Sequence, residues 1–502
     1  MASAATTTHA PPAIRGWRGG DFPDWLSPML VKELRQGIQS GAFALTFATL
    51  HTAVVVLMLF WLGIVSGDPD GGRAAGGFCR SLFWALLGAV LVLALPLRGL
   101  NAIRSEEAGQ TFDLLRLTRM SSTQIVVGKW VAIMAQVLLV ATAVLPYVVL
   151  QYFLGGYSVF ADLAVVGLLV VAAGFATALA IAISGQTTFF RGLAGFTLPV
   201  VMGWGGLIAI VSGSLRLSAD LAMTLLVLAA ASILTLLEFA AAGIAPPSEN
   251  HALRKRLLAL GFATVVVCMS AVWAAQRSSG ILQVDALIWI QTGLMPLIGL
   301  LVLGELLSDT VPRRSLYEPF ARWGAVGGLL AALFTPGWAT AVPFTVLLML
   351  LLAPCLALLA PDPGSLEQFA IVFVLIAAGL LLPIPFTRLV KGTAFRGLVS
   401  ILVTIASFLP LFYLEQPRIS PASPAIPILE VIVACLPFPL LARGGHLTPG
   451  ATTLLGPLLV TAIVWVPLVA PWLAEMRSLR GMLAACRRLR GDRLPRAADQ
   501  GT

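Results

Sequence analysis

Uninterrupted apolar runs of about 20 residues recur along the whole chain, and they decide what it can fold into. A helix rises 1.5 Å per residue, so about 20 apolar residues cross the roughly 30 Å hydrocarbon core of a bilayer. Runs that fit this length fall at 42–65, 81–99, 130–154, 161–184, 193–213, 220–243, 257–275, 286–307, 338–360, 369–387, 395–413 and 451–473. The stretches between them are short and leave no room for a soluble domain. Only 11% of the residues are charged, against about 25% in a typical soluble chain. A soluble enzyme and a disordered chain are both excluded. The expected fold is an all-α polytopic membrane protein with about 12 transmembrane helices and both termini cytoplasmic. The first run starts near Ala42 and is too long for a signal-peptide core, so it is expected to remain as a span.

A further apolar stretch, 425–442, contains Pro427, Pro437 and Pro439 and carries Glu430. Lys and Arg accumulate on the cytoplasmic side of membrane proteins, and this rule decides how the stretch is read. If it enters the bilayer and returns to the same side, 26 of the 32 Lys and Arg residues fall inside. If it crosses, the division drops to 20 against 12. A re-entrant segment is therefore expected. Broken backbone at membrane depth must be covered by protein or line a wet cavity.

Two segments at the cytoplasmic surface carry apolar and charged groups together. In the first, Pro28 suits the opening position of a helix and Ser27 its N-cap. Leu26, Leu30, Leu34 and Ile38 recur every four residues, while Lys32, Glu33, Arg35, Gln36 and Gln39 occupy the other side. This pattern predicts an amphipathic helix lying in the membrane interface. The second segment runs from Glu106 to Lys129, EEAGQTFDLLRLTRMSSTQIVVGK. Thr111 can cap a short helix with Asp113 in its first turn and Phe112, Leu114, Leu115 and Leu117 as apolar contacts. Ser121 and Gln124 have capping-box spacing ahead of the next apolar run, and Lys129 is expected to snorkel at the membrane surface.

The 106–129 segment resembles the coupling region of ABC-2 type permeases, the membrane subunits of ATP-binding cassette transporters. Thr111, Asp113, Leu115, Thr118, Met120, Ser121, Ile125, Gly128 and Lys129 fall on the family pattern without a gap. Gly109 lies one residue early, with Gln110 in its place, and Arg119 stands where the family usually has proline. The stretch S-P-M-L-V-K-E-L-R from Ser27 to Arg35 is similar to the family's first interfacial helix.

The resemblance implies a cytoplasmic N-terminus with an interfacial helix (1–41) and a first six-span half with the coupling helix at 106–121 (42–245). The span layout, not the residues, suggests a diverged second six-span half (246–475) with a cytoplasmic stretch at 308–337, and the charge count gives a basic cytoplasmic tail (476–502). The resemblance also implies no enzymatic activity in this chain and a separate ATP-hydrolysing subunit docked on the coupling helix. The docking residues would be Glu106, Glu107, Gly109, Thr111, Asp113, Leu114, Leu115 and Ser121, with Lys32, Glu33 and Arg35 on the interfacial helix. The chain itself binds no cofactor on this reading, since ATP sits on the partner. Transport with a lean to export, in a bacterial inner or plasma membrane, follows from the same likeness. One chain forming the whole pathway and pairing with a second permease subunit or a second copy both stay open.

The residues themselves add limits. No G-x-x-x-x-G-K-[ST] motif occurs, and Gly128-Lys129 runs straight into an apolar helix. Cys79, Cys268, Cys355, Cys435 and Cys486 form no CxxC pair, so neither a disulfide framework nor a metal site is expected. Ionisable groups inside apolar runs are functional candidates by their cost: His51, Glu238, Glu305 and Glu430, the middle pair with an interface ion pair as the competing reading. Gln136, Gln151 and Gln291 are read as interhelical hydrogen bonds. The arginine-rich tail suits anionic lipids of the inner leaflet. It lacks the interleaved aromatics that nucleic-acid binding favours, so no nucleic-acid partner is expected. The competing classes are an ATPase-independent secondary transporter, which would need matching broken helices in the two halves, and a membrane-embedded lipid- or glycan-processing protein, which would need clustered acids or histidines. The charge distribution predicts that a phosphatase reporter active only outside the cytoplasm stays silent when fused after Thr502; an active fusion would overturn the assigned orientation.

Overall fold

A computed structural model of the chain describes residues 28–67, 69–103, 120–155, 158–184, 219–246, 249–277, 314–359 and 452–493. Among the described residues every regular element is a helix. In chain order these are α1 (Pro28–Gln39), α2 (Gly41–Gly67), α3 (Pro69–Gly88), α4 (Ser122–Gly155), α5 (Val159–Ser184), α6 (Ala219–Ile244), α7 (His251–Arg277), α8 (Arg314–Tyr317), α9 (Gly324–Phe334), α10 (Trp338–Leu359) and α11 (Thr452–Arg493).

Among the described residues, six helical stretches are long and apolar enough to cross a membrane: Gly41–Gly67, Gly76–Asn101, Ser122–Gly155, Val159–Ser184, Met223–Ile244 and His251–Ala274. They coincide with the runs expected at 42–65, 81–99, 130–154, 161–184, 220–243 and 257–275. The runs at 193–213, 286–307, 369–387 and 395–413, and the 425–442 stretch, lie outside the described residues.

The second span changes character along its length. After α3 the chain takes a π turn over Ala89–Ala94 and a 3-10 turn over Pro96–Asn101. Pro96 has no amide N–H and its ring displaces the carbonyl one turn back. The ladder shifts accordingly, and the Leu95 amide donates to the Val90 carbonyl five residues earlier.

Two apolar cores share α4 and α5. One joins α2, α3, α4 and α5 through Leu50, Val54, Trp61, Phe83, Leu87, Val144 and Leu169. The other joins α4 to α7 with α10 through Ile125, Ile181, Leu236, Phe262 and Leu348. Outward faces stay apolar, with Leu59, Phe60, Leu138, Phe153 and Phe160 exposed, as lipid-facing helices require. Small residues set the closest helix approaches. A Cβ placed on Gly99 would lie 3.1 Å from Ala180 Cβ and 3.3 Å from the Thr177 carbonyl, so the 3-10 turn sits directly on the small-residue face of α5.

Two regions differ from the sequence reading. The stretch 308–337 is expected as a cytoplasmic connection. Instead, residues Phe320–Phe334 form a helical arm bent 93° from Trp338–Leu352, a broken span or re-entrant pair. The reason is local: α9, GAVGGLLAALF, is apolar on every side, and the break falls at Thr335, Pro336 and Gly337. Secondly, α11 runs for 42 residues, about 63 Å, through most of the segment read as a tail. Its Leu479, Leu483 and Cys486 are buried against Leu316, Tyr317, Ala321 and Ala331, while Arg477, Arg480 and Arg488 remain exposed. The apolar stripe at helical spacing docks the extension and leaves the arginines on the opposite face.

The tight Gly99 contact predicts that Gly99→Leu destabilises the helix bundle by about 1–3 kcal/mol through overpacking, read as a lower Tm in detergent. Gly128→Leu, which meets nothing within 4 Å, should leave Tm unchanged. Equal Tm values for the two variants would show that the α3–α5 approach is not steric.

Candidate functional site

Six ends meet at one end of the bundle: the start of α2, the close of the second span, the start of α4, the ends of α5 and α6, and the start of α7. The helix α1 lies there too, packed along α4, and the polar contacts between helices concentrate at this level.

Glu33 of α1 accepts from Lys129 Nζ at 2.9 Å, with the lysine side chain 5% and the glutamate side chain 19% exposed. One turn further, a Cβ on Gly37 would clash with Gln136 Nε2, so α1 crosses α4 at contact distance. Arg98 donates to Gln136 Oε1 and to Ser40 Oγ, and its guanidinium lies 5.9 Å from the centroid of the Phe43 ring. Ser40 Oγ in turn accepts from the Phe43 amide at 3.3 Å and donates to the Gly37 carbonyl at 2.8 Å, bridging α1 to α2. Glu33, Gly37 and Ser40 form a row at i, i+4 and i+7 on the seam between the apolar and polar faces of α1. This seam meets α4, while Ile38 on the apolar face is 45% exposed. Lys129 is expected to snorkel and does not: it is buried, because Glu33 supplies a nearer counter-charge than the membrane surface.

The start of α4 forms as its sequence predicts. The Ser121 amide donates to Gln124 Oε1 at 3.0 Å and the Gln124 amide to Ser121 Oγ at 3.2 Å, a reciprocal capping box. Glu106, Glu107, Gly109, Thr111, Asp113, Leu114 and Leu115 lie outside the described residues, as do Glu305 and Glu430. Lys32 is exposed and Arg35 half-buried on α1. Glu238, at the α1 end of α6, is buried and accepts from Thr123 Oγ1 at 3.5 Å, joining α6 to the first turn of α4.

His51 lies higher in α2. Its Nδ1 is 2.9 Å from the Phe47 carbonyl of its own helix, which makes Nδ1 the protonated nitrogen. Its ring stacks on Phe47 at 4.1 Å and meets the edge of Tyr147 at 5.9 Å, while Nε2 is buried with no partner among the described residues. Gln136 makes the interhelical bond expected of it, to Arg98. Gln151 does not: both amide atoms are buried without a partner among the described residues.

Two buried charges escape the sequence reading. Asp162, in the first turn of α5, is 1% exposed and binds Arg80 of α3 at 2.5 Å. Its spacing with Val166, Leu169 and Ala173 puts it on the core face of α5, and that periodicity was the available signal. Arg256, directly ahead of the apolar run at 257–275, is fully buried at the α9–α10 break. Beside that break, Trp338 Nε1 donates to Glu475 Oε1 at 2.6 Å and Trp472 Nε1 to the Ala339 carbonyl at 2.8 Å, fastening α10 to α11. Burial pushes the Tyr317 hydroxyl above its usual pKa; a hydrogen bond with the Thr335 side chain opposes this, and the Glu475 carboxylate adds to it. No group of three or more His, Cys, Asp or Glu side chains among the described residues could hold a metal ion.

No protein-family model, curated protein or solved structure matches the chain.

Removing one partner of a buried ion pair strands the other charge, at about 3–5 kcal/mol. Glu33→Gln should therefore release α1 from α4, seen as faster proteolysis between α1 and α2. The double change Glu33→Leu with Lys129→Met should recover most of the loss. A single substitution that leaves proteolysis unchanged would show that other contacts hold α1.

Proposed function

We propose that the chain is the membrane subunit of an ABC-2 type transporter, driven by a separate ATP-hydrolysing subunit that docks at the α1 end. One observation carries the reading. The described residues that flank the 104–119 stretch are both held at that end. Before the stretch, the Ile103 amide donates to Ser184 Oγ at 3.0 Å; after it, the capping box starts α4. The residues on either side of the segment that resembles the family's coupling helix thus lie at the end where α1 packs, with Glu33 paired to α4 two turns from the α4 start.

A coupling segment joined to these flanks would have mechanical leverage. A push on it reaches α4 through Ser121, then α1 through Lys129 and Glu33, and α6 through Thr123 and Glu238. Rigid helices joined by buried polar pairs transmit displacement better than lipid-separated ones, because breaking such a pair in low dielectric is costly. ATP binding and hydrolysis on the partner would supply the motion, and α4 and α5, which belong to both apolar cores, would carry it across the bilayer. The membrane is a bacterial inner membrane on this reading, and the exposed Arg477, Arg480 and Arg488 meet its anionic leaflet.

Substituting Asp113→Lys and Leu115→Asp together should abolish co-purification of an ATP-hydrolysing subunit from detergent extract and reduce its transport-coupled turnover at least tenfold. Retained co-purification and turnover would overturn the reading.

A further inference from the structure

The break between α9 and α10 is built like a cation site. α9 ends at Phe334, Thr335 is extended, and Gly337 takes φ 135° before α10 resumes at Trp338. A helix that stops inside a fold leaves carbonyls without amide partners at its negative dipole end. Unwound carbonyls and half-helix C-termini at membrane depth favour cations for this reason.

Here the oxygens converge on Arg256. Its Nη1 donates to the Leu333 carbonyl at 2.7 Å, to Thr340 Oγ1 at 3.2 Å and to the Thr340 carbonyl at 3.3 Å, and its Nη2 to the Gly337 carbonyl at 3.4 Å. The guanidinium lies 5.2 Å from the centroid of the Phe344 ring, and Arg256 is 0% exposed. Asn250, which caps α7 through the Leu253 amide, donates to the neighbouring Phe334 carbonyl at 3.1 Å. Thr340 Oγ1 itself donates within the break, to the Thr335 and Gly337 carbonyls. The first turns of α7 thus supply the side chains that satisfy the Leu333 and Phe334 carbonyls at the end of α9. The Gly337 carbonyl, at the start of α10, also accepts from the Ala341 amide at 3.0 Å. Trp338, Trp472 and Glu475 hold the other flank to α11.

We propose that the α9–α10 break is a guanidinium-binding site whose occupant is the chain's own Arg256, and that this tethered cation sets the 93° bend. The planar fork reaches oxygens on both sides of the break, which a point charge such as an ammonium cannot do in one geometry. Arg256 is a positioning residue: it pins the start of α7 to a joint, so displacement of α7 and reorientation of α9 are one movement. The inference stands apart from the question of what drives the protein.

The test empties the site and refills it. In a background with the native cysteines replaced, spin labels at Leu329→Cys and Leu350→Cys, both lipid-exposed positions, report the α9–α10 distance. Arg256→Ala should broaden that distribution and lower Tm by about 5–10 °C. Added guanidinium, at concentrations that leave the wild type unchanged, should restore both. Potassium at equal ionic strength should restore neither, and Arg256→Lys should recover only part of the narrow distribution. An unchanged distribution in Arg256→Ala, or no guanidinium-specific restoration, would overturn the proposal. If Arg256→Ala does not accumulate, Thr340→Val removes one acceptor and keeps the shape; an unchanged distribution there overturns it equally.

Discussion

In hydrocarbon a polar group has no solvent to return to, and this constraint organises what the structure shows. Hydrogen-bonding groups must find partners within the protein, and charges must be paired or heavily solvated by dipoles. The described helices meet the constraint unevenly. Most polar contacts between helices lie at the α1 end: Glu33 with Lys129, Arg98 with Ser40 and Gln136, Thr123 with Glu238, and Arg256 with the α9–α10 break. At the opposite end Arg80 holds Asp162, and Trp273 donates to Thr224. Between these levels the cores are apolar, and helix contacts there rest on dispersion and shape.

This division has a mechanical consequence. Apolar contacts are non-directional and let helices tilt and slide at small cost, whereas buried charge pairs fix geometry. The α1 end is therefore the stiff end. α1 cannot move without α4, nor α7 without the α9–α10 break, while the lipid-facing surfaces of α2 and α4 resist little. A partner acting on a membrane protein from one side needs such a stiff surface to push against.

Six of the expected spans were legible in the sequence, because hydrophobic length against bilayer thickness is a one-dimensional property. So was one local device. The Ser121–Gln124 capping box forms as its spacing predicts, since every group it needs lies within four residues. The fate of the charges was less legible. Lys129 looked like a snorkelling lysine and became a buried partner of Glu33, because α1 folds back onto α4 and brings a carboxylate from 96 residues away. Arg256 stands with Arg254 and Lys255 just ahead of an apolar run. Its burial depends on a helix break some 80 residues downstream, which no pattern around position 256 reports.

The sequence by itself determined that the described elements are helical, that six of them match a bilayer, and where those spans begin and end to within eight residues. These follow from composition, period and caps, all set by neighbours along the chain. Only the tertiary structure decided which face of α1 meets α4, that residues 320–334 turn sharply away from α10, and that the arginine-rich extension of α11 is docked by its apolar stripe. Each outcome depends on which distant carbonyl or carboxylate lies within about 3 Å of a buried donor, and that distance is fixed by how the helices pack together.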